Sequence, residues 1–428
     1  MNRRRAATVI DQTPAPKGSR RTRAITLGAA LMAPLIIISA MPPLGTSAYL
    51  PGLPAATESL NTSTATAQLT LTLYIVGLAV GQLVIGPLSD RIGRRPPLLL
   101  SIVAFVALTV GVALSPTITV MLIFRFLQGI AASAGMVLGR AIVHDIATGD
   151  RAARAMSTIM AAGLVVPALA PLLGAVVLAF ADWRMIFLVL AGLGALVGVW
   201  VTFAIPETHP RRRGVPDAAP AGRGRPQRPH HPSMPRFIFA TLVVSLAFAS
   251  MYAYVSASPF VFQQIYGFTP TGYALTGAGL AFVMATVGIL GTRLLGYRTP
   301  LGVLTPDLAV ISGLTVLVIG SALVLIVVLS GAPVAWLIAA LALAVSPLAI
   351  IFGSATSIAM DASPLPGGTA SAILGTTQAL FGAATPPLVG ILGPDARPMA
   401  FALAIAAALA LGASVLANRS APAAVREA

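Results

Sequence analysis

Long apolar blocks without charge, separated by short polar stretches, form the dominant pattern along this chain of 428 residues. The apolar positions follow neither a 3.6-residue nor a two-residue period but continue for about 18 residues or more, which is typical of membrane-spanning helices. At 1.5 Å per residue, each block can cross a hydrocarbon core of about 30 Å, so the pattern predicts an all-α membrane protein. The twelve predicted spans, numbered 1 to 12, cover residues 24–44, 64–88, 97–114, 117–143, 155–180, 183–205, 236–263, 271–295, 304–329, 333–357, 367–392 and 398–417.

A polar stretch rich in proline, glycine and arginine divides the spans into six and six. Its composition cannot bury an apolar core, so we expect a flexible linker between two six-helix bundles that can rock against each other. The predicted segments are a basic tail at 1–23, a bundle at 24–205, the linker at 206–235, a bundle at 236–418 and a tail at 419–428.

The distribution of basic residues predicts the orientation. Of the 27 Lys and Arg residues, 24 fall in loops and tails that the twelve spans would place on one side of the membrane. Arg184 and Arg397 fall on the other side, and Arg125 lies inside span 4. Because cytoplasmic loops carry the excess of basic residues, both termini are expected to be cytoplasmic. The same placement accounts for the net charge of +15 without a nucleic-acid partner.

The composition excludes several classes of chemistry. The chain has no cysteine, which excludes disulfides, thiol nucleophiles and zinc–thiolate sites. No metal-ligand cluster or nucleophile constellation is visible in the sequence, so we predict neither a metal site nor a cofactor, and no enzymatic activity.

A basic loop after span 2 carries the most specific motif, G-x-x-x-D-R-x-G-R-R. Its glycines allow a tight reversal of the chain, and its arginines favour anionic lipid. A plain basic connector is the alternative interpretation. The element resembles motif A of the major facilitator superfamily, which latches two bundles at their cytoplasmic ends. The resemblance implies that Asp90 caps a helix of the opposite bundle and that Arg94 pairs with Asp145. The predicted latch comprises Gly86, Asp90, Arg91, Gly93, Arg94, Arg95 and Asp145.

Arg125 is predicted to lie roughly 13 Å inside the core of span 4. A mid-span arginine costs roughly 2.5–3.5 kcal/mol even on the lenient insertion scale, so it is expected to face the bundle interior or a wet cavity. A structural arginine bonded to backbone carbonyls is the alternative. The segment from Arg125 through Gln128 to Arg140 resembles motif B of proton-coupled members, which implies a coupling role for these three residues.

Span 5 contains prolines and glycines at near four-residue spacing, a pattern that kinks a helix or lets a neighbour approach closely. Ordinary helix packing is the alternative. The pattern resembles motif C, which marks exporters, although Ala170 and Ala175 replace two of its glycines. The predicted kink comprises Gly163, Pro167, Pro171 and Gly174.

Further segments, among them Tyr-Leu-Pro-Gly-Leu-Pro at 49–54, resemble the Bcr/CflA-type multidrug exporters. This resemblance implies drug:proton antiport. The chain departs from this group at one important position, because Ser47 stands where those relatives carry the membrane-embedded aspartate that couples transport to proton movement. No acid falls near the middle of a predicted span, which leaves Asp145 and Asp307 as substitutes.

Polar and aromatic residues of the spans are candidates for a central substrate cavity, since drug pockets are mostly apolar with a few polar groups. Each of them has an equally good structural interpretation as a tie between helices. Without an acid in the cavity, we expect neutral or anionic amphipathic substrates. The candidates are Ser47, Tyr49, Tyr74, Gln82, Tyr252, Tyr254, Gln263 and Gln378.

The resemblance therefore implies a monomeric protein of the bacterial inner membrane that expels small molecules in exchange for protons. Its expected partners are the substrate, the proton and the lipid bilayer. A passive carrier or importer of the same fold is the main alternative. A membrane-embedded transferase and a non-transporting sensor are further alternatives.

Overall fold

The computed structural model describes residues 29–146, 149–208, 232–294, 298–299, 302–303, 305–365, 367–393 and 395–420. The predicted N-terminal tail, most of the predicted linker and the last eight residues lie outside the described part.

The described residues form fourteen α-helices. The first seven are α1 (Ala29–Ser47), α2 (Leu53–Ser59), α3 (Thr64–Ile92), α4 (Arg95–Ala113), α5 (Ile118–Ile146), α6 (Gly149–Leu178) and α7 (Trp183–Ala204). The others are α8 (Met234–Phe260), α9 (Pro270–Leu294), α10 (Pro306–Ser330), α11 (Val334–Val345), α12 (Leu348–Ala362), α13 (Gly367–Ile391) and α14 (Ala396–Arg419). A 3-10 turn at Leu50–Gly52 precedes α2, and a π turn at Val261–Ile265 continues α8.

Ten helical segments of the described part are long and apolar enough to cross a membrane. Many of their large apolar side chains are exposed, as expected where a surface faces lipid rather than water. Strands β1 (Arg298–Thr299) and β2 (Gly302–Val303) pair in the loop before α10 and are the only strands among the described residues.

Side-chain caps fix several helix starts. The Ser63 hydroxyl accepts the Thr66 N–H at the start of α3, and the Asp182 carboxylate accepts two N–H groups at the start of α7. The Thr305 hydroxyl accepts the Leu308 N–H at the start of α10. Such caps satisfy N–H groups that have no partner within the helix, so these boundaries are set locally.

The N-terminal bundle, α1 to α7, is built around the close contact of α3 with α5. A Cβ added to Gly77 would collide with the Phe126 carbonyl, and one on Gly129 with the Tyr74 carbonyl. The two backbones therefore touch, which only small residues allow. In the C-terminal bundle, α8 to α14, helix α8 packs against α12, α13 and α14. The bundles meet where α3 packs on α13 and α6 packs on α9.

Predicted span 10 is two helices rather than one. Helix α11 ends at Val345, and α12 begins at Leu348 directly after Pro347. Proline has no N–H to donate and its ring clashes with the preceding turn, so the helix is interrupted there. The short helix α2 and the π turn were also absent from the prediction.

Candidate functional site

The two bundles are joined by hydrogen bonds at the end of the molecule where α3 begins and α8 ends. Gln68 Nε2 donates to the Ser256 carbonyl at 3.1 Å, and Thr72 Oγ1 to the Ala383 carbonyl at 2.7 Å. Gln263 Nε2 donates to the Pro51 carbonyl at 3.0 Å. Each bond runs from a side chain of one bundle to the backbone of the other.

Close backbone contact accompanies these bonds. A Cβ added to Gly390 of α13 would lie 2.5 Å from Gln68 Oε1 and 2.6 Å from the Ala65 Cα. Only glycine at position 390 therefore lets α13 lie this close to α3. We call Gln68, Thr72 and Gln263, with the three carbonyls that they reach, the closed end.

The same faces of α3 and α13 are uncovered toward the opposite end. On α3, the face that carries Gln68 and Thr72 continues through Leu83, whose side chain is 63% exposed. On α13, Ala383 is buried whereas Leu380 is 61% exposed. The three side-chain hydrogen bonds between the bundles named above all lie at the closed end. Beyond Thr72, Leu83 of α3 and Leu380 of α13 are therefore not covered by the opposite bundle.

Arg125 lies wholly buried inside the N-terminal bundle. Its Nε donates to the Thr70 carbonyl at 3.2 Å and its Nη1 to the Gly45 carbonyl at 3.1 Å. Nη1 also donates to Gln128 Oε1 at 2.8 Å, and Gln128 Nε2 donates to Thr109 Oγ1 at 2.7 Å. The guanidinium is therefore held by neutral acceptors from α1, α3 and α5.

Aromatic rings complete the surroundings of Arg125. Its Cζ lies 4.3 Å from the centroid of the Tyr74 ring and 5.7 Å from those of Tyr49 and Phe187. Such cation–π contacts stabilise a desolvated guanidinium. Nη2 has no hydrogen-bond partner, and no carboxylate of the described residues pairs with Arg125. The positive charge is thus stabilised without an acid.

The predicted latch forms a network inside the N-terminal bundle. Arg94 Nε donates to Asp145 Oδ2 at 2.9 Å, the pair that the resemblance implied. Arg94 Nη1 donates to Asp90 Oδ1 at 2.5 Å and to Ser89 Oγ at 2.7 Å. Burial alone would lower the pKa of the Arg94 guanidinium, but its bonds to Asp145 and Asp90 outweigh burial and raise this pKa above its ordinary value. The Arg94 guanidinium therefore keeps its positive charge throughout the physiological pH range.

Asp90 does not reach the opposite bundle in this structure. Its side chain is 64% exposed, and its ion pair is with Arg94, four residues along the chain. The capping contact that the resemblance implied is not made here. Gly93 ends α3 with a φ of 94°, a conformation that favours glycine. Gly86 and Arg91 lie in the last two turns of α3.

Glu207 and Thr208, at the start of the predicted linker, belong to the same network. The Glu207 carboxylate accepts the backbone N–H of Arg94 at 2.9 Å and that of Arg95 at 3.3 Å, so it caps α4. Thr208 Oγ1 donates to Asp145 Oδ2 at 3.4 Å. Sequence reasoning missed this role, although a glutamate directly after an apolar span was a visible signal.

The predicted kink residues lie in α6, which continues as one helix through Pro167 and Pro171. A Cβ on Gly174 would collide with the Ala48 carbonyl, so this glycine allows the segment after α1 to touch α6. Gly163 also lies in α6. Arg140 Nε donates to the Met136 carbonyl of its own helix at 2.8 Å and is not joined to Arg125.

The predicted cavity residues lie in three different places. Tyr49 and Tyr74 are buried in the N-terminal bundle around Arg125, and Tyr254 packs against the core of the C-terminal bundle. Gln263 belongs to the closed end. The other four candidates, Ser47, Gln82, Tyr252 and Gln378, are partly exposed, as Tyr254 and Gln263 also are.

Sequence reasoning missed an ion pair of the C-terminal bundle. Arg236 Nη2 donates to both oxygens of Asp307, at 2.8 and 2.9 Å, and so ties the start of α8 to the start of α10. It also missed Gln68 and Thr72 as contacts between bundles. A polar stripe on α3, four residues apart, was the signal that could have indicated them.

Residues 35–386 match the model of the Major Facilitator Superfamily. The chain belongs to this superfamily. It is therefore a multi-pass membrane transporter and not an enzyme. The uncharacterized MFS-type transporter YdgK of Bacillus subtilis is 35% identical over 85% of this chain and 89% of its own length.

Relatives that are named as drug-resistance proteins confirm the resemblance to the Bcr/CflA-type group. Multidrug resistance protein MdtL of Escherichia fergusonii is 30% identical, and the bicyclomycin resistance protein homolog of Haemophilus influenzae is 29% identical. Each match covers 86% of this chain and 90% of the relative.

Solved structures share the fold at low sequence identity. A bacterial homologue of the human lysosomal transporter Spinster, in an inward-facing and unoccupied conformation, superposes with a TM-score of 0.71 at 15% identity, over 92% of this chain and 98% of that chain. A D-xylose–proton symporter superposes with a TM-score of 0.68 at 15% identity, over 89% and 96% of the two chains.

Proposed function

We propose that this transporter expels small amphipathic molecules from the bacterial cytoplasm across the inner membrane, in exchange for protons. The resistance names of MdtL and of the bicyclomycin resistance protein homolog support export of drugs or metabolites. We further propose that it works as a monomer of twelve spans with both termini in the cytoplasm.

The observation that carries the transport mechanism is the unequal contact between the bundles. With the orientation given by the basic loops, the closed end faces the outside, and the opposite end, where Leu83 and Leu380 are uncovered, faces the cytoplasm. This arrangement is what a transporter with alternating access needs in its cytoplasm-open state, where substrate enters from inside. Rocking of one bundle against the other would break the bonds of Gln68, Thr72 and Gln263 and open the outer end.

Proton coupling requires a group that binds and releases a proton. Ser47 cannot do this, and the two substitute acids lie in ion pairs, Asp145 with Arg94 and Asp307 with Arg236. A proton would therefore have to displace an arginine from one of these carboxylates. We propose Asp145 as the coupling acid, because its network also includes the exposed Asp90.

A passive carrier of the same fold is the second candidate, and one observation favours it. Arg125 is stabilised by neutral groups alone. With Ser47 in the first span, there is no carboxylate at that position whose protonation could break an ion pair with Arg125. In that case, substrate would equilibrate across the membrane without being driven.

Transport in inside-out vesicles from an efflux-deficient bacterium separates these candidates. Uptake of neutral and cationic drugs is measured with and without a protonophore, in vesicles with the protein and in vesicles that lack it. Accumulation that the protonophore abolishes is the expected result. Equilibration without accumulation would replace proton antiport by passive transport, and absence of any protein-dependent flux for every compound would reject drug export.

A further inference from the structure

The connection between α1 and α2 carries one of the three bonds of the closed end. Its 3-10 turn, Leu50–Gly52, is closed by a bond of 2.9 Å from the Gly52 N–H to the Tyr49 carbonyl. Pro51, in the middle of this turn, accepts the Gln263 bond from the C-terminal bundle. The position of Tyr49 therefore determines where the carbonyl lies that Gln263 reaches.

Tyr49 is fixed by aromatic and cationic neighbours inside the N-terminal bundle. Its side chain is 1% exposed, and its ring centroid lies 4.9 Å from that of Phe187 and 6.4 Å from that of Trp183. Arg125 Cζ lies 5.7 Å from the same centroid. The Tyr49 hydroxyl interacts with the Thr70 side chain of α3. A ring with these partners at stacking and cation–π distances is held in one place.

Arg125 holds both parts of the N-terminal bundle that contribute to the closed end. Its Nη1 donates to the Gly45 carbonyl, one turn before the connection, and its Nε donates to the Thr70 carbonyl of α3. Thr70 lies between Gln68 and Thr72, whose side chains make the other two closed-end bonds. All three bonds therefore start or end in segments that contact one buried guanidinium.

The Tyr49 ring fills the volume between Arg125 and the 3-10 turn. A smaller side chain would leave a cavity there, and the surrounding structure would relax partly into it. Because the turn begins at the next residue, this relaxation would shift the Pro51 carbonyl. A hydrogen bond weakens steeply when its distance or angle departs from the preferred range, so the bond from Gln263 would be lost.

We infer that Tyr49 is a positioning residue of the closed end, because it holds the Pro51 carbonyl within reach of Gln263 and so stabilises the closed state. It does this as a buried residue, although the sequence suggested it as a lining residue of the substrate cavity. Its role in transport rests on the proposed alternating access, whereas the separation of the bundles can be measured without transport.

Double electron–electron resonance on the purified full-length protein tests this inference. The chain has no native cysteine, so spin labels at Thr119→Cys and Leu392→Cys, both exposed, report the separation of the start of α5 from the end of α13. Tyr49→Leu and Gln263→Met should each raise the ratio of open to closed molecules about fivefold, since each loses the same bond between neutral groups. The double variant should then also show about a fivefold rise, instead of the roughly 25-fold rise expected for independent sites.

Two further variants separate positioning from general packing. Phe105→Leu is the matched control, because Phe105 is a buried ring of the same bundle in a different hydrophobic cluster from Tyr49. It should lower the thermal stability but leave the distance distribution unchanged. Tyr49→Phe keeps the ring and should raise the ratio less than Tyr49→Leu, and it provides the same cycle with Gln263→Met in a milder form if Tyr49→Leu does not fold.

Three results would overturn the inference. They are an unchanged ratio in Tyr49→Leu or Gln263→Met, an equal rise in Phe105→Leu, and a double variant whose rise is the product of the two single rises. Vesicle transport is a separate measurement. If flux is absent although the two substitutions are not additive, export is rejected and the positioning role of Tyr49 remains.

Discussion

The hydrogen bond of Thr72 to the Ala383 carbonyl makes the balance between closed and open outer ends measurable. Thr72→Val keeps the shape of the side chain but removes the donor. A net hydrogen bond between neutral groups contributes about 1 kcal/mol, so the ratio of open to closed molecules should rise about fivefold. The Gln68 bond is less suitable, because Gln68→Met would also remove Oε1, a buried acceptor without a partner, and that loss favours the closed end.

Ser256→Ala should act in the opposite direction. Ser256 Oγ is buried without a hydrogen-bond partner, whereas the carbonyl that accepts the Gln68 bond is unchanged by the substitution. A buried hydroxyl without a partner costs about 1–3 kcal/mol, and opening would expose it to water. Its removal should therefore favour the closed end by a comparable amount.

The absence of native cysteine simplifies the assay, because spin labels attach only to introduced cysteines. Labels at Glu58→Cys and Leu392→Cys, both exposed and on different bundles, report the width of the outer end by double electron–electron resonance. Thr72→Val should enlarge the population at long distance, and Ser256→Ala should reduce it. Thr315→Val is the matched control, because Thr315 is exposed and its hydroxyl donates only within its own helix, to the Ile311 carbonyl. Changes of the same sign in Thr72→Val and Ser256→Ala would refute the assignment of the closed end.

Two further substitutions test the charged groups. Asp307→Asn leaves the buried Arg236 without its carboxylate and should lower the free energy of unfolding by about 1–3 kcal/mol, measured by thermal unfolding. Adding Arg236→Met removes the unpaired charge and should restore part of this loss. A double variant less stable than Asp307→Asn would contradict this reasoning. Arg125→Lys keeps the charge but loses the planar fork that reaches the Thr70 and Gly45 carbonyls, so transport in vesicles should fall at least about tenfold; unchanged transport would show that charge alone is required.

The sequence predicted most spans within a few residues, because a continuous apolar run is a local signal. Span 2 was expected at 64–88 and α3 is Thr64–Ile92, and span 6 was expected at 183–205 and α7 is Trp183–Ala204. The division of span 10 was missed because a proline inside an apolar run is compatible with either a kink or an end. In the structure, helix α11 ends at Val345.

The site was harder to predict, since its contacts join residues far apart in the chain. The cost of a buried charge identified Arg125, but only the fold shows that Thr70, Gly45 and Gln128 are its acceptors. Phe187, which lies beside Arg125, was not distinguishable in the sequence from Phe282, which is 72% exposed. An apolar residue in a membrane protein carries no sequence signal for the side it faces, because lipid and protein core are equally apolar.

The strengths of the bonds within and between bundles explain how such a molecule can rock. Inside the bundles, Arg94 with Asp145 and Arg236 with Asp307 are charge-assisted bonds, which are roughly twice as strong as neutral ones. Between the bundles, three neutral bonds contribute about 0.5–1.5 kcal/mol each, and the unpartnered Gln68 Oε1 and Ser256 Oγ each cost about 1–3 kcal/mol in the closed state. The two sums are of similar size, so the polar contacts by themselves leave the closed end close to balance, and a bound substrate can shift the equilibrium by its difference in affinity for the two states.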